Sequence, residues 1–393
     1  RFGGFTIPTD DDGHADEAQG ESDPYRCVIP FDAMPQSLNP PDGFVRTANN
    51  QPAPIDDDGD SANDTWYLGG PWESVRADTI RKRLEAIVAA GDATAADMSS
   101  VQADRRSSLG GWFTPALLDA IDRAKTVAGS GAELTAEAQR LVDLYKAKAA
   151  RFDEARSRLA GWTFDAPSGV ETFYEAPTDA ERADAVATMI FNAWLPRFVQ
   201  SVWGDEPSDD LFPFRPDYTR WATILAFLDG RGAGNPKQLA SWDAETGESV
   251  FFDRIGTPEK EHSDELMLAA LGEALDALEA APAEPGHGGF GTADMAQWLW
   301  GLRHLVRFDS LIAAVGSDPA LAVFTSLFSI TTDTLPLADS FPAGDPRKDL
   351  EHFPRGGDNF SVDAAEHGDD AEDFTYDTGP VMRMVIALGD ETT

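Results

Sequence analysis

The chain has 393 residues, 42% of them hydrophobic and ten of them Trp, which is enough to bury a large core and excludes wholesale disorder. Its 69 acidic residues outnumber 31 basic ones, and a formal net charge of −38 sets the surface against nucleic acid and anionic lipid as partners. The acid is spread along the whole sequence; at ~1 M salt, where the Debye length is roughly 3 Å, its self-repulsion is screened, so the distribution reads as adaptation to high salt.

Residues 1–42 read as loop with short strands, of which "YRCVIPF" is one. Its Cys27 is the single cysteine, can form no internal disulfide, and reads as a small core residue. "FVRTA" (Phe44–Ala48) reads as the next strand. It ends in Asn49-Asn50, just before the acidic "IDDDGD". From Arg76 the period changes: "RADTIRKRLEAIVAAG" sets Ile80, Leu84, Ile87 and Val88 at helical spacing, and Gly91 closes it. "TAADMSSVQADRRSSLGGWFTPALLDAIDRA" continues helically behind a Thr94/Asp97 capping box. "LTAEAQRLVDLYKAKAARFDEARSRL" is a further helix. "PTDAERADAVATMIFNAWLPRF" is the best-marked one, with a Thr178/Glu181 capping box and an apolar face of Val186, Met189, Ile190, Ala193 and Trp194. Pro196 is expected to kink or end it.

Helices are also expected over "YTRWATILAFLDG", "HSDELMLAALGEALDALEAA" and "TADMAQWLWGLRHLVRF", the last with Met295, Trp298, Leu299, Leu302 and Val306 on one face. "LAVFTSLFSI" is too short for a membrane span. After about residue 330 helical periodicity fades, and "FSVDAAE" and "PVMRMVIALGD" read as strands. The order strands, helices, strands indicates an α+β body with a large helical insertion. The expected divisions are 1–77 (strands and loops), 78–310 (mainly helical) and 311–393 (strands again).

Motif tests are mostly negative. "GHGGFG" fits G-x-G-x-x-G but follows "APAEP" instead of a strand, so a flexible loop is expected there. Asp56, Asp58 and Asp60 imitate a calcium loop, but Ser61 and Tyr67 occupy the positions that need Gly and Glu. The six histidines show no paired ligand spacing, and no G-x-S-x-G elbow is present. Two adjacent asparagines at a strand end read, on these terms, as turn caps.

Five segments in order resemble the penicillin acylase family of N-terminal-nucleophile amidohydrolases. "VIPFDAMPQSLNPPDGFVRTANNQP" resembles its I-P-F-D-x-x-P element, N-P-x-x-G turn, strand and Asn-Asn end. "YLGGPWESVRADTIRKRL" resembles its Y-L-G…W…R-A-x-R-I segment, with the second arginine displaced to Arg81. "DMSSVQADRRSS" and "WLWGLRHLVRF" resemble two of its helices. "GGDNFSVDAAEH…DTGPVMRMVIAL" resembles its late block, with Val381 where Ser is usual.

The resemblance implies an αββα sandwich made from a precursor cut into two chains. A freed N-terminal residue, usually Ser, is then the nucleophile and its own α-amine the base. The physics is sensible, because an α-amine has a pKa of roughly 7.7–8.0 and can accept the hydroxyl proton near neutral pH. By the same resemblance Asn49 is the side-chain donor of the oxyanion hole, and Arg76 orients Asn49 and the nucleophile's amine. Asn50 is expected to form the turn. His304 is expected to pack within its helix.

No cofactor is required, although several relatives bind calcium in the loop that here carries Asp58, Asp60 and Asp64. The nucleophile does not appear in this sequence, so the chain reads as an internal portion of the large chain of a longer, exported protein. Its expected partners are a small N-acyl amide, such as a penicillin or an acyl-homoserine lactone, and the remainder of the processed precursor. The competing reading is an inactive, acylase-like exported binding protein.

The charge analysis makes a direct prediction. The thermal midpoint should rise by at least several degrees between ~0.1 M and ~1 M KCl, followed by circular dichroism; a flat or falling midpoint would remove the salt-adaptation reading.

Overall fold

Side-chain hydrogen bonds at the helix starts decide where this chain turns helical. Asp97 N–H donates to Thr94 Oγ1 (3.2 Å) and Thr94 N–H returns to Asp97 Oδ2 (2.9 Å), which opens α2 (Ala95–Gln102). Thr178 and Glu181 make the same reciprocal pair at the start of α6 (Asp179–Trp203). Ser107 caps α3 (Ser108–Gly129), and Thr135 caps α4 (Ala136–Ala147). Each such cap is worth about 1 kcal/mol.

The computed structural model describes residues 36–50, 75–91, 93–171, 176–206, 217–231, 234–235, 238–284, 287–306, 353–368, 370–376, 378–380 and 382–387. It divides into two compact units, Arg1–Val101 with Ala387–Thr393, and Gln102–Ile386. The described part of the first unit holds α1 (Val75–Ala90) and most of α2. The second holds α3, α4, α5 (Ala149–Ala160), α6, α7 (Asp217–Asp229) and α8 (Ser263–Glu279). It also holds three two-stranded antiparallel ladders: β1 (Trp242–Asp243) with β2 (Glu248–Ser249), β3 (Pro282–Glu284) with β4 (His287–Gly288), and β5 (Leu305–Val306) with β6 (Phe353–Pro354). The described residues are therefore α+β, with helix predominant. Among them no helix is long and apolar enough to cross a membrane.

The core of the second unit is built around α6. The expected face of Val186, Met189, Ile190, Ala193 and Trp194 is fully buried, but burial runs unbroken from Asp184 to Leu195, all round the helix. A helix sealed on every side must satisfy its polar groups internally. Asp184 does so by accepting from Thr163 N (3.0 Å) and Thr163 Oγ1 (2.5 Å). Trp194 stacks on Phe198 at 5.2 Å and donates its indole N–H to Met267 O of α8 (3.1 Å).

Several expectations are corrected. Pro196 does not end α6, which runs seven residues further to Trp203. The helix expected over Thr94–Ala124 breaks at 103–107, because the Ser107 hydroxyl is committed to a distant carboxylate and to the cap of α3. The helix expected over Leu134–Leu159 breaks at Lys148, whose ammonium reaches Gly272 O (2.7 Å) and Asp276 on α8.

The described part of the expected helix, Thr292–Val306, is not an α-helix. It forms 3-10 turns at Met295–Gln297 and Trp300–Leu302, because the indole N–H groups of Trp298 and Trp300 reach Thr292 O and Gly357 O instead of solvent. Phe44–Ala48, Phe360–Glu366 and the described part of 380–390 make no strand ladder among the described residues. The "YRCVIPF" strand and Cys27 lie outside the described residues.

Within the glycine-rich run, the described Gly288–Phe290 are packed against neighbouring chain. A Cβ on Gly289 would collide with the carbonyl oxygens of Ala277 and Ala280, and Arg303 lies 4.2 Å over the Phe290 ring while donating to Gly288 O. Gly289→Ala should therefore destabilise the fold by about 1–3 kcal/mol, the usual cost of overpacking, measured as a shift in urea midpoint in molar salt.

Candidate active site

The turn that precedes the two asparagines is closed by backbone alone. Gly43 N–H donates to Pro40 O (3.0 Å), and Gly43 sits at φ +78°, a conformation only glycine adopts freely. Phe44–Thr47 then leads into a bend anchored by buried Ala48. Asn50 Oδ1 accepts from Ala48 N–H at 3.1 Å, so Asn50 forms the turn. Asn49 does something different. Its φ of +58° is left-handed, a region Asn tolerates better than most L-residues. Its side chain points away from the local backbone and accepts a hydrogen bond from Arg76 Nη2 at 2.6 Å, across 27 positions.

That bond has a chemical consequence. Arginine has only donors, so the Asn49 atom facing it must be the oxygen. The amide is thereby oriented with Nδ2, the donor end, turned elsewhere, and Nδ2 has no acceptor among the described residues. Because the donor is charged, the bond is of the stronger kind. Arg76 is the second residue of α1, and a cation there opposes the helix dipole by roughly 0.3–1 kcal/mol. Asp78 in the same turn offsets this and pairs with Arg81 and Lys82. Asp58, Asp60 and Asp64 lie outside the described residues. Among the described residues no group of three or more His, Cys, Asp or Glu side chains is arranged to hold a metal ion.

The second unit contains a buried polar knot that sequence reading missed. Asp358, at 1% exposure, accepts from Ser107 Oγ (2.5 Å), Ser361 Oγ (2.9 Å) and Asn192 Nδ2 (3.4 Å). Asn192 Oδ1 meets His367 Nε2 at 3.2 Å. His304 is fully buried, stacks on Trp300 at 4.6 Å, and directs Nδ1 to Phe374 O at 2.7 Å; it packs, as expected, although outside an α-helix.

The knot gathers a serine, an aspartate and a histidine, yet no step of acyl transfer follows from it. Ser107 bonds to the carboxylate and not to an imidazole, and it has no exposure to a substrate. Its work is structural: it ties the start of α3 to α6 and to the 356–368 segment. The signals were the "GGD" and "DRRSS" runs, but nothing in their spacing announces the contact.

Burial pushes Asp358 up to about 6, against the hydrogen bonds from Ser107, Ser361 and Asn192, which lower it. Burial likewise pushes His367 down to about 4, and His304 well below the ordinary imidazole value. The signs oppose. For His367 the unfolded chain takes a proton near pH 6.5 that the fold refuses until about 4, so stability is present above 6.5 and lost as pH falls through that window. For Asp358 the fold binds the proton first, so its contribution improves as pH falls from about 6 towards 3.8. His304 acts in the same sense as His367, and the histidines should dominate. Unfolding free energy should fall between pH 6.5 and 4.5 in denaturant titrations, and His367→Gln should reduce that slope.

A model of the penicillin amidase family matches residues 7–393 of the chain. No curated protein and no solved structure gives a significant match.

Proposed function

The chain belongs to the penicillin amidase family, and on that premise we propose that Asn49 and Arg76 are the oxyanion-stabilising part of an N-terminal-nucleophile acylase. Family membership carries the coarse activity, hydrolysis of amide bonds by a processed precursor. The finer reading is an αββα sandwich in which a freed Ser, Thr or Cys, contributed by the remainder of the precursor, attacks an N-acyl amide. Its α-amine takes the hydroxyl proton and later gives it to the leaving amine. The carbonyl oxygen gains negative charge in the tetrahedral intermediate and needs a donor already in place. Asn49 Nδ2–H is that donor. Collapse of the intermediate releases the amine, and water then frees the carboxylic acid from the acyl-enzyme.

The observation that supports this is the Arg76–Asn49 bond, since it holds the amide with its oxygen occupied and its N–H groups available. An asparagine serving only the local turn would bond to the backbone, as Asn50 does. Acyl substrates of the penicillin or acyl-homoserine-lactone type fit the family. Salt adaptation, export and a structural calcium ion at Asp58, Asp60 or Asp64 belong to the same proposal and rest on composition and resemblance alone.

The test uses the full-length, processed protein in molar salt with a chromogenic phenylacetyl or long-acyl amide. Asn49→Gly keeps the left-handed backbone and deletes the donor; kcat should fall by roughly 10²–10³, the usual cost of one oxyanion-hole donor, with KM little changed. Arg76→Gln should cost less than Asn49→Gly and add little to it in the double variant, because it acts through the same amide. Wild-type turnover by Asn49→Gly would remove the assignment. No turnover by the processed wild type would leave a binding relative of the acylases.

A further inference from the structure

A cavity of about 700 Å³ opens in the second unit between the end of α6, the loop at 254–257 and α8. Pro196, Arg197 and Gln200 line it from α6, Arg254 and Ile255 from the loop, and Glu273 from α8. Most of its charge is already committed. Arg197, with its side chain 10% exposed, donates Nη1–H to Ala193 O (2.8 Å) and Ala371 O (2.7 Å) and pairs with Glu372 at 3.5 Å. Asp205 Oδ2, also on the wall, accepts from Ile255 N–H at 2.5 Å.

Two charges are left over. The Arg254 guanidinium and the Glu273 carboxylate make no hydrogen bond or ion pair with each other or with any other described residue, although the field of Glu273 reaches Arg197. They are of opposite sign and stand on different elements. A simple anion entering the cavity would meet Glu273 and Asp205. A simple cation would meet Arg254 and Arg197. A molecule carrying both charges meets one partner for each. Pro196 and Ile255, the latter 63% exposed, add an apolar wall.

We propose that this cavity binds a small zwitterion of the amino-acid class, its carboxylate on Arg254, its ammonium on Glu273 and its apolar side chain against Pro196 and Ile255. The site lies wholly in the second unit and does not depend on the reading of Asn49 and Arg76. Equilibrium dialysis of the full-length protein in molar salt tests it with three probes of like shape: leucine, isovalerate, which lacks the ammonium, and isoamylamine, which lacks the carboxylate.

Leucine should bind saturably, and the two singly charged analogues at least tenfold more weakly. Arg254→Gln and Glu273→Gln, both at exposed positions, should each weaken leucine at least tenfold and leave the thermal midpoint unchanged. Isovalerate or isoamylamine binding as well as leucine would overturn the proposal, as would the absence of leucine binding at millimolar concentration. So would leucine binding that neither variant affects.

Discussion

Cations are scarce in this chain, and several of its buried acids are held by them. The clearest case is α8, whose first turn carries Asp264 and Glu265 at 9% and 5% exposure. Arg123 grips Asp264 with two bonds of 2.6 Å, Arg231 adds a third, and Arg140 takes Glu265. Near the far end, Lys148 and Arg151 share Asp276. Acids at a helix start are favoured by the dipole, but burial there requires these partners. The helix against which Trp194 locks the centre of the core is therefore fixed near both ends by charge drawn from α3, α4, α5 and α7–β1. Of these pairs, only Arg231–Asp264 is largely buried on both sides, and a pair of that kind contributes little net stability although breaking it is costly.

Against that background the two polar arrangements of the molecule differ in kind. The Asp358 knot closes on itself. Its carboxylate accepts from three side chains, its own N–H donates to Ser361 Oγ, and neighbouring Asn359 is bonded at both ends to the Gly368–His367 backbone. Such a network rigidifies a core. The Asn49–Arg76 pair is open. One end of the amide is held by a charge and the other is left with donor capacity, which is the state a reacting carbonyl requires and a finished fold does not. The contrast between a carboxylate whose donors all come from the core and an amide left with donor capacity is what supports the proposal that Asn49 serves chemistry.

What could be read from the residues follows the range of the interactions. Capping boxes are local, so Thr94/Asp97 and Thr178/Glu181 were legible and α2 and α6 start where expected. The breaks at Ser107 and Lys148 were not, because their causes lie 251 and 124 positions away in Asp358 and Gly272. The tryptophan-rich segment after Thr292 shows helical spacing, yet indole hydrogen bonds override it, one to Thr292 O six residues back and one to the distant Gly357 O. Composition alone could not separate Asn49 from Asn50. The resemblance did, and the backbone now shows why they differ: one amide folds back on Ala48 and the other reaches α1.

The Asn49–Arg76 contact joins residues 27 apart in sequence. The entropy of closing such a segment grows only logarithmically, about 0.6 kcal/mol for each doubling of length. Residues between the two partners can therefore be inserted, deleted or made more acidic with little thermodynamic penalty to the contact. A lineage moving between dilute and saline habitats could rewrite that stretch while the amide kept its aim.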